Sequence, residues 1–254
     1  MKVAIVGYGR MGRAIYSILQ NSNVDIAAII DPISKAKEIT SSALNAEALE
    51  DADVVIDFSS PSSAVDNIIM YSKLGIPAVI GTTGWYSELD KVRAITEGDN
   101  SKILYSGNFS MGVAIFLRLV RRAGLLINKT KGYDAAIEEV HHREKADSPS
   151  GTALMIANEL IDTIDEKDKI LVGNSEGKIE KNALQITSMR VGKVFGIHEV
   201  VLDGDYDTIT LKHSAKSRDG FASGAVVAAK WLYETDRHGL LTMDDFLDEK
   251  LGDL

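Results

Sequence analysis

The chain has 254 residues, 45% of them apolar, 26% charged and only 4 proline, which is the composition of an ordinary globular protein and excludes a disordered or fibrous one. With 0 cysteines it forms no disulfide, thiolate metal site or cysteine nucleophile, so any metal would fall to histidines and carboxylates. A formal net charge of −9, with acidic residues gathered between Asp244 and Asp253, argues against nucleic acid or an anionic membrane as the partner, while leaving room for an anionic metabolite in a local cationic pocket.

The opening MKVAIVGYG carries one Lys and then an apolar run broken by Gly7, too short for a signal-peptide core or a membrane span. It reads as a buried strand of a cytoplasmic protein. Short apolar runs then alternate with helical patterns through the first hundred residues, as expected of βαβ units around a mostly parallel sheet. The predicted strands are residues 2–6, 24–30, 53–58, 76–80 and 102–105. Between the first two, Met11, Ala14, Ile15, Ile18 and Leu19 recur at helical spacing, and Pro61 suits the first turn of a later helix.

After Asn108 a long helical pattern runs from Met111 to about Ile127. Strand-like stretches follow at 133–140, 184–191, 197–202 and 206–213, with a single clear helix among them. Runs of strands predict a separate sheet-bearing domain, placed at 109–215. Residues 165–181 read as the most mobile loop. An Ala- and Val-rich helical pattern at 221–233 is expected to return to the first domain.

Gly7, Gly9 and Gly12 form G-x-G-x-x-G directly after a predicted strand and at the start of a predicted helix. In a dinucleotide site the first glycine permits a tight turn, the second lets backbone approach a pyrophosphate, and the third allows close helix–strand packing. Tyr8, Arg10 and Met11 complete the loop, and N–H groups at the helix start would hold phosphate. Asp31 ends the second predicted strand, nineteen residues beyond Gly12, where an acidic residue accepts from a ribose hydroxyl. A carboxylate there favours NADH, whereas Arg10, Lys35 and Lys37 offset the repulsion that NADPH would meet. Gly81-Thr82-Thr83-Gly84 and Ser106-Gly107-Asn108-Phe109 follow strands where open α/β sheets place ligands, and either is also plain turn chemistry.

The stretch from Glu139 to Ala153 packs titratable groups between a strand and a helix whose apolar face is Ala153, Ile156, Ala157, Leu160, Ile161 and Ile164. Ser150 suits the N-cap, and Pro149 discourages helix from extending backwards. The N–H groups of Gly151, Thr152 and Ala153 then make an anion site, with no side chain at Gly151 to block approach. His141, His142, Arg143 and Lys145 add cationic or proton-donating groups just upstream, a histidine being suited to general acid work near neutral pH. The alternatives are a solvated strand end or a metal site of His141, His142 and Glu144. Adjacent strand residues face opposite ways, so His141 and His142 are not expected to share a role.

This segment resembles the signature of the 4-hydroxy-tetrahydrodipicolinate reductase (dihydrodipicolinate reductase) family, E-x-H-x-x-x-K-x-D-x-P-S-G-T-A, without a mismatch from Glu139 to Ala153. The glycine loop, Gly81 to Gly84, Asn108-Phe109-Ser110, Arg190-Val-Gly and His213-Ser-Ala resemble further family motifs in order, so the resemblance covers nearly the whole chain. It implies that His141 is the general acid and Lys145 its catalytic partner. It also implies that His142, Ser150, Gly151 and Thr152 bind substrate carboxylates. Gly7 to Gly12, Asp31, Gly81, Thr82, Thr83 and Ser106, Gly107, Asn108, Phe109 resemble the contacts to NADH or NADPH. Departures are a glycine loop without the extra residue of many members, Pro32 where Arg often follows the ribose-binding acid, Ala136 in place of Glu, and Ala114 where Asn is common.

The resemblance further implies reduction of 4-hydroxy-tetrahydrodipicolinate, via dihydrodipicolinate, to tetrahydrodipicolinate with release of water, in lysine and diaminopimelate biosynthesis. It implies a homotetramer joined through second-domain sheets. With the two halves of the site expected on different domains, hinge closure around 107–110 and 214–220 would bring substrate to cofactor. The expected fold is α/β: a Rossmann-type doubly wound parallel sheet (1–108 and 216–254), plus an α+β substrate-binding, catalytic and oligomerisation domain with an open mixed sheet (109–215). No metal is expected. Another two-domain amino-acid dehydrogenase, or a dinucleotide sensor without turnover, stays open on fold alone.

Overall fold

A computed structural model describes residues 1–252; Asp253, the end of the acidic stretch, lies outside the described residues. In chain order the first elements are β1 (Lys2–Val6), α1 (Arg10–Gln20), β2 (Asp25–Ile30), α2 (Ala46–Leu49), β3 (Val54–Asp57), α3 (Pro61–Leu74), β4 (Ala78–Ile80), α4 (Leu89–Gly98) and β5 (Lys102–Tyr105). There follow α5 (Met111–Thr130), β6 (Tyr133–His141), α6 (Gly151–Ile161), β7 (Lys169–Val172), β8 (Ala183–Arg190), β9 (Ile197–Gly204) and β10 (Thr208–Ser214). The chain ends with α7 (Asp219–Glu234), β11 (Gly239–Leu241) and α8 (Met243–Leu251). Two compact units result, one of 1–110 with the chain from Asp219 onward, the other Met111–Arg218.

The first unit is a six-stranded parallel sheet in the order β11-β5-β4-β3-β1-β2. Val3 to Val6, all of β3 and all of β4 are buried at consecutive positions, as happens when helices cover both faces of a parallel sheet. Pro61 occupies the first turn of α3, where its missing N–H costs nothing, and Gly75 ends the helix in the left-handed region at φ 67°. Helix α7 packs on α1 and on β3, β4 and β5, so the Ala- and Val-rich segment does return to the first sheet.

The second unit carries a mixed sheet in the order β10-β9-β6-β8-β7, with β6, β8 and β7 parallel and β9 and β10 antiparallel to their neighbours. Burial alternates along β6 and β9, so one face lies on the core made with α5 and α6. Ala135, Ile137, Val200 and Leu202 fill that core.

Two stretches hold regular structure beyond what the sequence pattern suggests. Residues 165–181, expected to be the mobile loop, contain β7, and Lys167 within it is buried, donating to Asp134 and to the carbonyls of Lys181 and Ala183. The acidic C-terminal stretch is largely α8, started by a capping box in which Thr242 and Asp245 bond each other's backbone N–H groups.

Candidate active site

In the first unit the glycine loop is shaped by backbone crowding. Gly7 sits at φ 85°, and a Cβ there would lie 2.3 Å from the Phe58 carbonyl oxygen. At Gly12 it would lie 2.0 Å from the carbonyl oxygen of Gly7, which is how closely α1 packs on the loop. Gly9 is different: its Cβ would meet nothing within 4 Å, and it caps α1 without any side-chain bond. The helix therefore begins on bare backbone facing open space, which suits an anion.

That opening continues as a groove of about 290 Å³ lined by Gly9, Arg10 and Met11 on one side and by Gly81, Thr82 and Thr83 on the other. The Phe58 ring occupies the space a side chain at Gly81 would need. Beneath it Asp57 is fully buried and accepts from the Tyr71 hydroxyl (2.7 Å), the Asn67 amide (2.9 Å) and Ser59 N–H (2.9 Å), pinning the turn after β3. Gly107 leaves room beside Thr83, bringing together the turns after β4 and β5. Within the second turn, Asn108 N–H donates to the Ser106 hydroxyl at 3.0 Å and Ser110 N–H to the Asn108 side chain at 2.8 Å.

Asp31 ends β2 against the glycine loop. Its Oδ2 accepts from Tyr8 N–H at 2.6 Å, and its Oδ1 from Ile33 and Ser34 N–H at 2.8 and 2.7 Å. Partial burial works to raise its pKa, but the Ser34, Tyr8 and Ile33 N–H groups outweigh it and hold the carboxyl below its usual range. A fixed anion thus stands where the ribose is expected. Bare helix start, small-residue groove and terminal carboxylate together fit a dinucleotide.

In the second unit the register places Ser188, Glu139, His198 and His213 opposite one another across four strands, with Arg190 and His141 forming the next row. Glu139 is wholly buried and His141 and His198 nearly so, 6% and 4% exposed. Glu139 accepts from Ser188 Oγ (2.8 Å), Arg190 Nη2 (3.0 Å) and Ser150 N–H (3.1 Å). Its other oxygen stands 3.4 Å from His141 Nδ1, within ion-pair range though out of line for a hydrogen bond. The His141 and His198 rings meet edge to face at 5.1 Å, and His198 stacks towards His213 at 6.5 Å.

Ser150 is the N-cap of α6, its hydroxyl accepting from Ala153 N–H at 3.1 Å while also bonding His198 Nε2 at 3.1 Å. Gly151 is exposed, with nothing within 4 Å of where a Cβ would stand, and Thr152 follows it in the first turn. Lys145 Nζ is paired with both oxygens of Asp147 at 2.8 Å. His142 lies just past the end of β6 and is half-buried. The structure thus brings His141 and Ser150 onto one carboxylate and places Gly151 and Thr152 at the helix start beside it.

Charge in this cluster is finely set. Burial would raise the Glu139 carboxyl, but bonds from Ser150, Ser188 and Arg190 outweigh it and hold it below its usual value. His141 is lowered by burial, with Lys145 and Arg190 reinforcing and Glu139 and Asp147 opposing. His198 is pushed down to about 4 by burial first and the neighbouring His141 next. Glu139, His141 and His198 also offer three metal-ligand atoms within 4.8 Å of one another, but the carboxylate already has the Arg190 guanidinium as its cation. The donor set is that of an acid–base cluster.

A measurable consequence follows for stability. An unfolded histidine titrates near about pH 6.5, so between that pH and the folded value of about 4 the unfolded chain takes up a proton that folded His198 refuses. Stability is fully present above the unfolded value and falls as pH falls through that window, by on the order of 3 kcal/mol from this residue. The urea midpoint is expected to drop between pH 7 and 4.5, and more steeply in wild type than in His198→Gln. Parallel slopes would contradict this.

Glu139, Ser188, Arg190 and His198 were not singled out as site residues from sequence, yet a signal was present. Glu139 shares strand parity with Ala135 and Ile137, and His198 with Val200 and Leu202. A polar group in the buried phase of an alternating strand needs partners, and these residues are one another's.

Two family models match the chain along most of its length. Residues 1–109 match the model described as "Dihydrodipicolinate reductase, N-terminus" and 112–247 the one described as its C-terminus. A curated 4-hydroxy-tetrahydrodipicolinate reductase of Christiangramia forsetii is 38% identical over 249 residues, covering 98% of each chain. One of Archaeoglobus fulgidus is 37% identical over 262 residues, covering 98% of this chain and 100% of the relative. Among solved structures, a dipicolinate-bound dihydrodipicolinate reductase from Paenisporosarcina sp. TG-14 superposes with TM-score 0.78 at 22% identity over 95% of this chain and 97% of that one. A diaminopimelate dehydrogenase of C. glutamicum follows at TM-score 0.58 and 13% identity, covering 99% of each. At such identities these two speak for the fold alone.

Proposed function

The chain belongs to the dihydrodipicolinate reductase family, and from that premise we propose that its first unit holds a reduced nicotinamide dinucleotide while its second binds and protonates a cyclic imine dicarboxylate. The protein is an NAD(P)H-dependent oxidoreductase of lysine and diaminopimelate biosynthesis. It reduces 4-hydroxy-tetrahydrodipicolinate, after loss of water to dihydrodipicolinate, to tetrahydrodipicolinate. The observation that carries the reading of the site is the folding of the Glu139 to Ala153 segment into a strand end with a buried histidine, a loop that carries Lys145 and an open helix start.

The glycine loop, Asp31 and the turns after β4 and β5 would hold the dinucleotide, whose reduced nicotinamide would supply hydride. His141 provides the proton that neutralises the charge arriving on the conjugated imine, and the fixed charge of Lys145 stabilises that anion before the proton moves. The start of α6, through Ser150, Gly151 and Thr152, grips one carboxylate with N–H groups and the helix dipole, and His142 contacts the other. Reduced cofactor and proton together account for the two electrons and two hydrogens gained.

Titration with dipicolinate, a planar cyclic dicarboxylate, tests the substrate half by calorimetry. Saturable binding is expected, weakened about tenfold or more by Gly151→Asp, which puts a like charge at the helix start in a position with room for it. Absence of binding, with reduction of NAD(P)⁺ by diaminopimelate or homoserine instead, would overturn the reading.

Asp31 makes NADH the preferred cofactor, because a carboxylate held ionised repels a 2′-phosphate. Asp31→Asn is expected to move the NADH-to-NADPH affinity ratio towards NADPH, read by fluorescence of the bound reduced nicotinamide. A ratio that does not move would remove Asp31 from cofactor choice.

The second sheet turns the face away from α5 and α6 outwards, where Met189 is 52% exposed and Val140, Ile197 and Val201 half-buried. A homotetramer formed through that face is part of this reading, testable by light scattering. No helix among the described residues is long and apolar enough to cross a membrane, and a cytoplasmic location accords with the biosynthetic role.

A further inference from the structure

We propose that Glu139 is the positioning residue of the second unit's site: one buried carboxylate that orients the His141 ring, favours its protonated form and ties it to the start of α6. The inference deepens the reading of His141 as proton donor, and its kinetic half rests on that reading.

The geometry is specific to this carboxylate. Its Oε1 takes donors from β8 (Ser188 Oγ and Arg190 Nη2) and from the α6 cap (Ser150 N–H), while its Oε2 accepts the same Ser150 N–H at 3.2 Å and faces two imidazoles. Those are His141 Nδ1 at 3.4 Å and His198 Nε2 at 3.7 Å. A buried carboxylate must be supplied with donors, and once supplied it is a fixed negative point charge in a place of low screening. The same oxygens that face the acid therefore hold the N-cap whose helix start binds the substrate's carboxylate. Movement of either end is felt by the other.

Orientation follows from what flanks the ring. Nδ1 faces Glu139, and Nε2 faces Gly196, where a Cβ would come within 3.1 Å. The glycine at 196 puts no side chain of its own against that Nε2 edge, while the carboxylate stabilises a proton on the opposite nitrogen. In the protonated ring both nitrogens carry hydrogen, so loss from Nε2 leaves the Nδ1–H tautomer facing Glu139.

The charges around His141 are Glu139 on its own strand, Arg190 on β8, His198 on β9 with His213 beyond it on β10, and Lys145 and Asp147 from the loop after β6. Arg190 and Lys145 oppose protonation, whereas Glu139 and Asp147 support it. Glu139 is buried whereas Asp147 is largely exposed and screened by water, so removal of Glu139 is expected to have the larger effect.

The test is an NMR titration of histidine Cε1–H signals in the free protein, where 5 histidines give a countable set and His141→Asn identifies one of them. In Glu139→Gln, nearly isosteric but neutral, the His141 proton affinity is expected to fall by about tenfold or more. Arg190→Met, which removes an opposing cation and leaves the carboxylate, is expected to move the His141 midpoint the other way, and it decides the matter if the Gln variant does not fold. The alkaline limb of kcat/KM should track both shifts. A His141 midpoint that stays put in a folded Glu139→Gln protein, or moves upward in it, overturns the positioning role. A midpoint that moves as expected while the limb of kcat/KM does not supports the role of Glu139 and overturns instead His141 as the proton donor.

Discussion

His141→Ala is expected to lower kcat by about 10²–10⁴-fold, the usual contribution of a positioned general acid. The ring sits at the end of β6, 6% exposed, beside an ionised carboxylate, and its pKa is lowered by burial. A lowered value makes His141 a stronger acid and a scarcer one, so kcat/KM should decline on the alkaline side of a midpoint below the ordinary imidazole value. The variant keeps Ser150 as the cap of α6, and hence the carboxylate grip, so KM should change far less than kcat. A folded variant with wild-type kcat would remove His141 from the chemistry. Loss in KM alone would make it a binding group.

The second large effect separates two glycines of the same loop. In Gly12→Ala a methyl is driven to 2.0 Å from the Gly7 carbonyl oxygen, a backbone atom that cannot swing aside. The fold should lose about 1–3 kcal/mol and the loop its shape. In Gly9→Val the new side chain meets no protein atom at its Cβ, and the backbone is extended at φ −77° and ψ −152° with no positive φ to strain, so the melting temperature should move little. Dinucleotide binding should nevertheless weaken about 100-fold or more, about 2.7 kcal/mol, because the side chain fills the approach to the helix start. Tight binding by folded Gly9→Val would move the phosphates away from this loop.

Much of this architecture is legible in the sequence because its central strands are apolar runs and its motifs sit at element ends. Residues 102–105 and 2–6 form strands as read, and Ser150 caps α6. What escaped lies at the margins. Strand β11 is Gly-Leu-Leu and β7 Lys-Ile-Leu-Val, and each borders its sheet, paired on one side only and too short to show a period. Helix α8 was hidden by its acidic composition, although Met243, Phe246 and Leu247 recur at helical spacing behind a capping box.

The site divides in the same way. His141, Lys145 and Ser150 are contiguous in a recognisable segment, whereas Ser188, Arg190 and His198 reach Glu139 from other strands, at separations of about fifty to sixty residues. Only the pairing of β6 with β8 and β9 brings them together. Their burial phase marks them as polar residues in need of partners, but which partners is a property of register.

The most direct test of the central claim is turnover: freshly generated 4-hydroxy-tetrahydrodipicolinate is added to the protein with NADH or NADPH, and the loss of reduced-nicotinamide absorbance is followed alongside product identification. One reduced cofactor is expected to be consumed per tetrahydrodipicolinate formed, fastest with NADH at low concentration. Saturable dinucleotide binding without cofactor oxidation in the presence of that substrate would contradict it.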